Sequence, residues 1–305
     1  MRVFVAGATG VLGRRVVEQL VAAGHVVTAV SRTADRDGLL RAAGATPVRV
    51  ALFDPSAVRA AVAGHDAVVN VATSIPPLSR AAWRRAWRTN DRLRTEASRT
   101  LVDAAIATGA SRYVQESVGF LYADAGGRWI DESAPLAPEG PTATAVDAEA
   151  EAARFTAAGG TGVALRFAEF VAGDSGHFRE LLPFLERGWL PLVGDHDGYQ
   201  SFVDADDAAA AVVAALDAPA GVYNVAEDDP APRHEHAAAL SDVLDRPVRL
   251  PPAIVGSLPP LRVKARSQRI SNRRLQERTG WSPRRPSMAE RWTTLLPELR
   301  SGAET

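Results

Sequence analysis

The chain lacks cysteine altogether and holds only two methionines, four tyrosines and one lysine, Lys264, among its 305 residues. The missing cysteine excludes disulfides, thiolate metal centres and a cysteine nucleophile. No apolar run approaches the roughly 20 residues that span a bilayer, and Met1 is followed directly by Arg2 and a short apolar run ending in glycine, which does not read as a leader. A cytoplasmic protein with no membrane partner is expected. A surplus of either charge is missing too, with 35 Lys and Arg against 36 Asp and Glu. Nothing pulls the whole surface toward nucleic acid. What is present, 46% hydrophobic and 23% charged residues, suits a globular chain long enough for one large domain or two small ones.

The apolar pattern alternates between strand and helix. Residues 2–6, 25–30, 48–50, 66–71, 111–117, 162–167 and 222–225 read as buried strands. Helical spacing follows at Val16, Val17, Leu20 and Val21, across 80–108, over 144–157 and over 204–216, with later helices near 178–187, 234–245 and 272–279. Strands separated by such helices pair in parallel through right-handed crossovers. The expected fold is α/β, a Rossmann-type doubly wound parallel sheet of about seven strands with a small discontinuous C-terminal substrate lobe. Residues 1–165 and 200–226 would form the nucleotide-binding part, and 166–199 and 227–305 the lobe. The Pro- and Gly-rich segment 126–141 reads as a surface loop, a usual place for substrate-facing walls.

Between the first strand and first helix stands Gly7-Ala8-Thr9-Gly10-Val11-Leu12-Gly13. Gly7 permits the tight turn, Gly10 lets backbone approach a pyrophosphate, and Gly13 lets helix pack on strand, while the helix N-terminus offers free N–H groups. Thr9, Val11 and Leu12 belong to the same contact surface. At the end of the second strand NAD(H) calls for a carboxylate on the ribose, but the chain has Ser31-Arg32, and Asp35 comes too late. A guanidinium suits a 2′-phosphate, so NADP(H) is favoured over NAD(H), with Arg32 as the reader and Arg14 as a helper. Leu52 and Phe53, after the third strand, complete the expected cofactor contacts on this side.

The order of GATGVLG, NVATSIPP, RTNDRL, YVQESVGFLY, VALRFAEF, FVDADDAAAAV, GVYNVAEDD and SNRRLQERTGWSP resembles the extended short-chain dehydrogenase/reductase superfamily, in its epimerase/dehydratase-like and atypical branches, over nearly the whole chain. The resemblance implies that Val71, Ala72 and Thr73 line the cofactor ribose, that Asn90 lies under the site, and that Ser117 stands beside the nicotinamide. It also implies a tyrosine and, four residues later, a lysine on the helix after the fifth strand. Alignment on AEAEAARF places Ala143 and Asp147 in those slots. The pair is absent.

Three readings follow. In the first, an oxidoreductase acting on a carbonyl, hydroxyl or imine uses a relocated donor: Tyr122 foremost, then Asp124, Glu169 or His177, with Ser117 orienting the acceptor. In the second, a non-redox isomerase, lyase or cyclase uses Glu116, Asp147 and Glu169 for acid–base work, unless Arg112 and Arg166 neutralise Glu116 and Asp147. In the third, a silent domain binds NADP(H) as a sensor. The first is preferred; Arg166, His177, Trp189 and Tyr199 are available to line a pocket for a small-molecule substrate.

Other features read as structural. Asp195, Asp197, Asp204, Asp206 and Asp207 lack the spacing of a calcium loop, and Asp204 or Asp206 suits a helix cap. No metal is expected. His234 and His236 are expected to face solvent. The basic stretch from Arg262 to Arg285 reads as a solvated face or a preference for an anionic substrate. Trp83, Trp87, Leu93 and Leu101 on the 80–108 helix suit either a dimer contact or the chain's own core, so the protein is expected as monomer or homodimer.

Overall fold

The computed structural model describes residues 1–301. Its first five strands are β1 (Arg2–Ala6), β2 (Val26–Ser31), β3 (Thr46–Arg49), β4 (Ala67–Asn70) and β5 (Arg112–Val118). In β1 the side chains of Val3 and Val5 enter one apolar cluster, while Phe4 and Ala6 enter another. β4 behaves alike, with Ala67 and Val69 on one side and Val68 on the other. Strands covered on both faces must be apolar at every position, which is why these segments read as unbroken runs. Seven parallel strands form the central sheet in the order Gly221–Val225, Thr161–Phe167, β5, β4, β1, β2, β3.

Helix α1 (Val11–Ala22) packs against the alanine-rich helix Ala205–Ala215 beside one face of the sheet. Small side chains allow that close approach, and Asp204 caps the second helix by accepting the Asp206 N–H at 2.9 Å. The rest of the acidic group is spent on arginines. Arg285 reaches both Asp204 and Asp206, Arg291 reaches Asp204, Arg15 reaches Asp206, and Asp207 accepts the N–H groups of Arg284 and Arg285. Among the described residues no group of three or more His, Asp or Glu is placed to hold a metal. A separate apolar cluster joins Phe178, Leu182, Leu185, Phe202, Leu240, Trp292 and Leu296. No described helix is long and apolar enough to cross a membrane.

Three expectations need correction. The 80–108 region is not one helix. It comprises Leu78–Ala81, Arg84–Trp87, Arg88–Arg92, a π-helical turn Leu93–Ala97 and Ser98–Thr108. Leu101 is buried and Leu93 packs on the same cluster, whereas Trp83 is exposed under the Arg85 guanidinium. His236 does not face solvent; it is fully buried with its ring edge-on to Phe202, while His234 is exposed beside Asp197. The basic stretch is a solvated face only in part: Arg273, Arg274, Arg278 and Arg284 are exposed, while Arg262 and Arg266 meet Glu139, Lys264 meets Glu169, and Arg269 lies between the rings of Trp129 and Tyr199.

Candidate active site

The glycine turn has the shape its sequence requires. Gly7 has φ +84°, and a Cβ there would lie 2.5 Å from the Ala72 nitrogen; one on Gly13 would lie 2.0 Å from the Gly7 oxygen. Neither position tolerates a side chain. At Gly10 the contrast is informative, because the nearest atom to a Cβ would be the Gly7 oxygen at 3.5 Å, leaving the exposed side open. Gly10 is also the N-cap of α1 and supplies no capping side chain. The first-turn N–H groups are left for an anionic ligand. Thr9 and Val11 are partly exposed beside them, while Leu12 is buried in the core.

The β4 exit forms the opposite wall. Val71 and Ala72 are buried, Thr73 is exposed, and the Asn70 carbonyl oxygen of the side chain accepts the Ala72 N–H at 3.2 Å. Asn90, fully buried, accepts the Ser74 N–H at 3.0 Å, and its own Nδ2 lacks a protein partner. A buried amide donor without a partner beside the ribose wall fits a site built for a polar ligand. Leu52 is half-buried, and the Phe53 ring is exposed with the Arg92 guanidinium 4.1 Å from its centre. The set fits a dinucleotide: an uncapped helix start, a glycine opening and an apolar ledge.

At the end of β2 Arg32 is exposed, while the carboxylate beside Ser31, that of Asp37, is buried and paired with Arg49 at 2.6 Å. Arg36, one turn later, donates to the Thr9 hydroxyl at 2.8 Å and so reaches the glycine turn. Arg14 does not help here. Its guanidinium is paired with Asp174 at the other side of α1, and Arg15 also holds Asp174 and Asp206.

The fifth strand carries a buried polar network. Ser117 is fully buried and donates to Glu149 at 2.6 Å. Glu149 takes a two-pronged contact from Arg166, at 2.7 and 2.6 Å, and Arg166 donates in turn to the Tyr122 oxygen at 3.0 Å. The Tyr122 hydroxyl donates to Asn224 at 2.6 Å. Burial pushes this phenol up to about 12 against the pull of Arg166. Tyr122 is therefore a fully buried, fully committed tyrosine, and its placement does not match the role of proton donor. Ser117, whose proton goes to Glu149, is likewise not free to donate to an acceptor. Asp124 is occupied as well, accepting the N–H groups of Gly126 and Ser267.

The slots where the tyrosine and lysine were looked for hold what the alignment placed there. Ala143 and Asp147 are both exposed, Asp147 in the first turn of the helix Ala145–Ala157. Arg166 neutralises Glu149 rather than Asp147, and Arg112 donates to the Ala218 carbonyl. Glu116 is buried against Arg94 at 3.0 Å, each side chain 3% exposed. A carboxylate so enclosed does not meet a ligand.

Glu169 begins a short strand directly after Thr161–Phe167, at the same sheet edge on which β5 ends. Its Oε1 lies 2.5 Å from Lys264 Nζ and 3.7 Å from His177 Nε2, and its Oε2 accepts from Gln200 at 3.1 Å. Burial pushes this carboxyl up, but Lys264 and His177 outweigh it and hold it at about 2. It is an anion at neutral pH, not an acid. Lys264 Nζ also lies 5.4 Å from the Phe120 ring centre. A separate groove of about 740 Å³, lined by residues such as Trp129, Glu132 and Arg274, shares no residue with the turn or with this cluster.

Residues 7–176 match the family described as NAD(P)H-binding, and a Streptomyces protein named 3-diazoavenalumate denitrifying reductase is 37% identical over 303 residues, covering 94% of this chain and 97% of its own. The chain belongs to this NAD(P)H-binding family. Among solved structures, MoeE5 bound to UDP-glucose and NAD superposes with a TM-score of 0.79 at 21% identity, over 99% of this chain and 100% of that one. The UDP-glucose 4-epimerase of Thermotoga maritima does so with a TM-score of 0.78 at 19% identity, over 99% and 100%. These two establish the fold. Membership in this family makes the chain an NAD(P)H-binding protein.

Four residues that the structure brings to the candidate site are not singled out for it by the sequence pattern. Arg36 carried a usable signal, four residues after Arg32 and so one helical turn away. Glu149 lies two residues after Asp147 and was overlooked for it. Lys264 and Gln200 come from distant segments whose approach to Glu169 no local pattern reveals.

Proposed function

We propose that the protein is an NADPH-preferring reductase that delivers hydride to a small acceptor needing no proton from the enzyme, and that the acceptor class is an arenediazonium. The observation that carries this reading is the pair of slots occupied by Ala143 and Asp147, together with a Tyr122 that is buried and committed. Reducing a carbonyl takes a hydride and a proton, and a site without a donor is poorly made for it. The reduced nicotinamide supplies hydride; with an arenediazonium a C–H bond forms, the C–N bond breaks, nitrogen leaves as N₂, the positive charge passes to the oxidised cofactor, and no proton is consumed. The Streptomyces relative's name, which denotes a diazo acid and a denitrifying reduction, supports the same class.

The chain's own residues then have these parts. The glycine turn, the α1 N-terminus and the Val71–Thr73 wall bind the dinucleotide, with Asn90 setting the wall from below. Arg32 and Arg36 face the 2′-phosphate, which is the basis for preferring NADPH. Asp147, exposed where a cation stands in relatives of the usual pattern, leaves negative charge at the nicotinamide end and favours a cationic acceptor. Ser117, Glu149, Arg166 and Tyr122 brace the strand ends.

The test offers an arenediazonium bearing a carboxylate and follows NADPH oxidation and N₂ release together. Equal amounts of both, with NADH slower at low concentration, are expected. Substrate conversion without nucleotide would replace this reading with a lyase or isomerase, and nucleotide binding without turnover of any acceptor would replace it with a sensor.

A further inference from the structure

We propose that Lys264 is the substrate anchor, taking the carboxylate of an aromatic acid at the edge of the cluster formed with Glu169, His177 and Gln200. This deepens the function proposed above, and depends on it only for what happens to the bound acid. The two partners of the ion pair differ in accessibility. Glu169 has a side chain only 13% exposed, and both its oxygens are engaged, one by Lys264 and His177, the other by Gln200. Lys264 is 42% exposed. An ammonium has three N–H donors, and Glu169 takes one. His177, 30% exposed, faces the same carboxylate with Nε2 at 3.7 Å. A ligand arriving here meets donors, so it is an acceptor, and an anionic one.

The backbone that carries Lys264 is fastened with unusual thoroughness. Arg233, fully buried, donates to the carbonyls of Lys264, Arg266 and Asp195. Burial pulls this guanidinium's pKa down even though Asp124, Asp195 and Glu169 oppose the shift. Burying an arginine without a carboxylate in contact is costly, and its direct product is a fixed 264–266 segment. Arg266 completes the fastening by donating to the carbonyls of Phe120 and Tyr122, at the exit of β5. The lone lysine of the chain is thus held against the strand ends where a cofactor-facing substrate must lie.

The neighbouring surface is aromatic. Phe120 is half-buried, with the Lys264 ammonium 5.4 Å from its ring centre. A flat ring with a carboxylate satisfies both the apolar face and the free N–H donors. A cation would find no unoccupied oxygen on Glu169.

Calorimetric titration of the full chain with cinnamate and with cinnamamide, in the absence of nucleotide, tests the assignment. Cinnamate is expected to bind at least about tenfold more tightly than the amide, a difference of about 1.4 kcal/mol. Lys264→Met is expected to abolish that preference, and Lys264→Arg to restore part of it. Glu169→Gln is expected to tighten cinnamate binding a few-fold, because Lys264 no longer has a charged competitor. Opposite signs for the two partners are the signature of an anchor. Equal binding of acid and amide, or the same loss in both Glu169→Gln and Lys264→Met with melting temperatures unchanged, would overturn the proposal and make the pair a structural ion bridge. A variant that melts early is replaced by Lys264→Arg and the amide comparison on the wild type, which need no destabilised protein. Since no hydride transfer is read, acid-selective binding by a protein that reduces no diazonium would leave the anchor standing and remove only the proposed reaction.

Discussion

The two ends of the cleft obey different constraints. At the glycine turn the constraint is on backbone: a Cβ on Gly7 or Gly13 would lie 2.5 or 2.0 Å from other backbone atoms, while Gly10 leaves the turn open, so the motif is local and short. At the proposed substrate end, the groups are side chains brought from segments 95 residues apart, as in Glu169 and Lys264. The first end keeps the family's pattern and the second has lost the tyrosine and lysine on which the family's proton transfer rests. A cofactor site is tied to one ligand's shape, whereas a substrate site is free to change its acceptor once the proton is no longer needed.

The sharpest way to break this comparison is at the turn. Gly13→Val places atoms on the Gly7 carbonyl, so nucleotide affinity is expected to fall more than about 100-fold with several kcal/mol of lost stability; fluorescence titration and thermal melting check both. Next comes the smaller lobe. Burial pushes the Glu227 carboxyl up to about 8 although Met288 and Phe202 donate N–H groups to it. Its folded-state pKa exceeds the unfolded one, so its contribution is fully present below about pH 4.5 and lost as pH rises through about 8. Melting temperature is expected to decline across that window through this group, and Glu227→Gln to flatten the slope while keeping turnover at the other end of the molecule.

Tyr122→Phe separates bracing from catalysis. Loss of its buried hydrogen bonds is expected to cost about 1–3 kcal/mol, read by denaturant unfolding, with turnover of folded enzyme retained. A proton donor would instead show a rate loss of about 100-fold or more. The smallest effect expected is at β2. Arg32→Ala and Arg36→Ala should each weaken NADPH by about tenfold, or about 1.4 kcal/mol, and leave NADH almost unchanged, which a paired titration measures.

Legibility followed the same divide. The seven strands and the glycine turn were readable because apolar runs and glycines act within a few residues of themselves. The 80–108 segment was read as one helix because its apolar spacing is helical, but the break at Trp83 and the π turn at Leu93–Ala97 answer to tertiary packing. Tyr122 was a reasonable donor from its place at the strand end, and only the positions of Arg166 and Asn224 reveal that its hydroxyl is committed inward. The basic stretch divides the same way: Arg273, Arg274 and Arg278 are exposed as its charge implies, whereas the pairing of Lys264 with Glu169 and of Arg266 with Glu139 depends on segments far away in the chain.

The central claim is that this enzyme transfers hydride without a proton donor, and isotope effects on turnover test it most directly. With NADPH deuterated at the transferred position and an arenediazonium carboxylate as acceptor, the account predicts a primary isotope effect, no solvent isotope effect, and a turnover number flat from about pH 6 to 9. A solvent isotope effect joined to a rate that follows the titration of one side chain would contradict it and restore a proton-donating residue to the site.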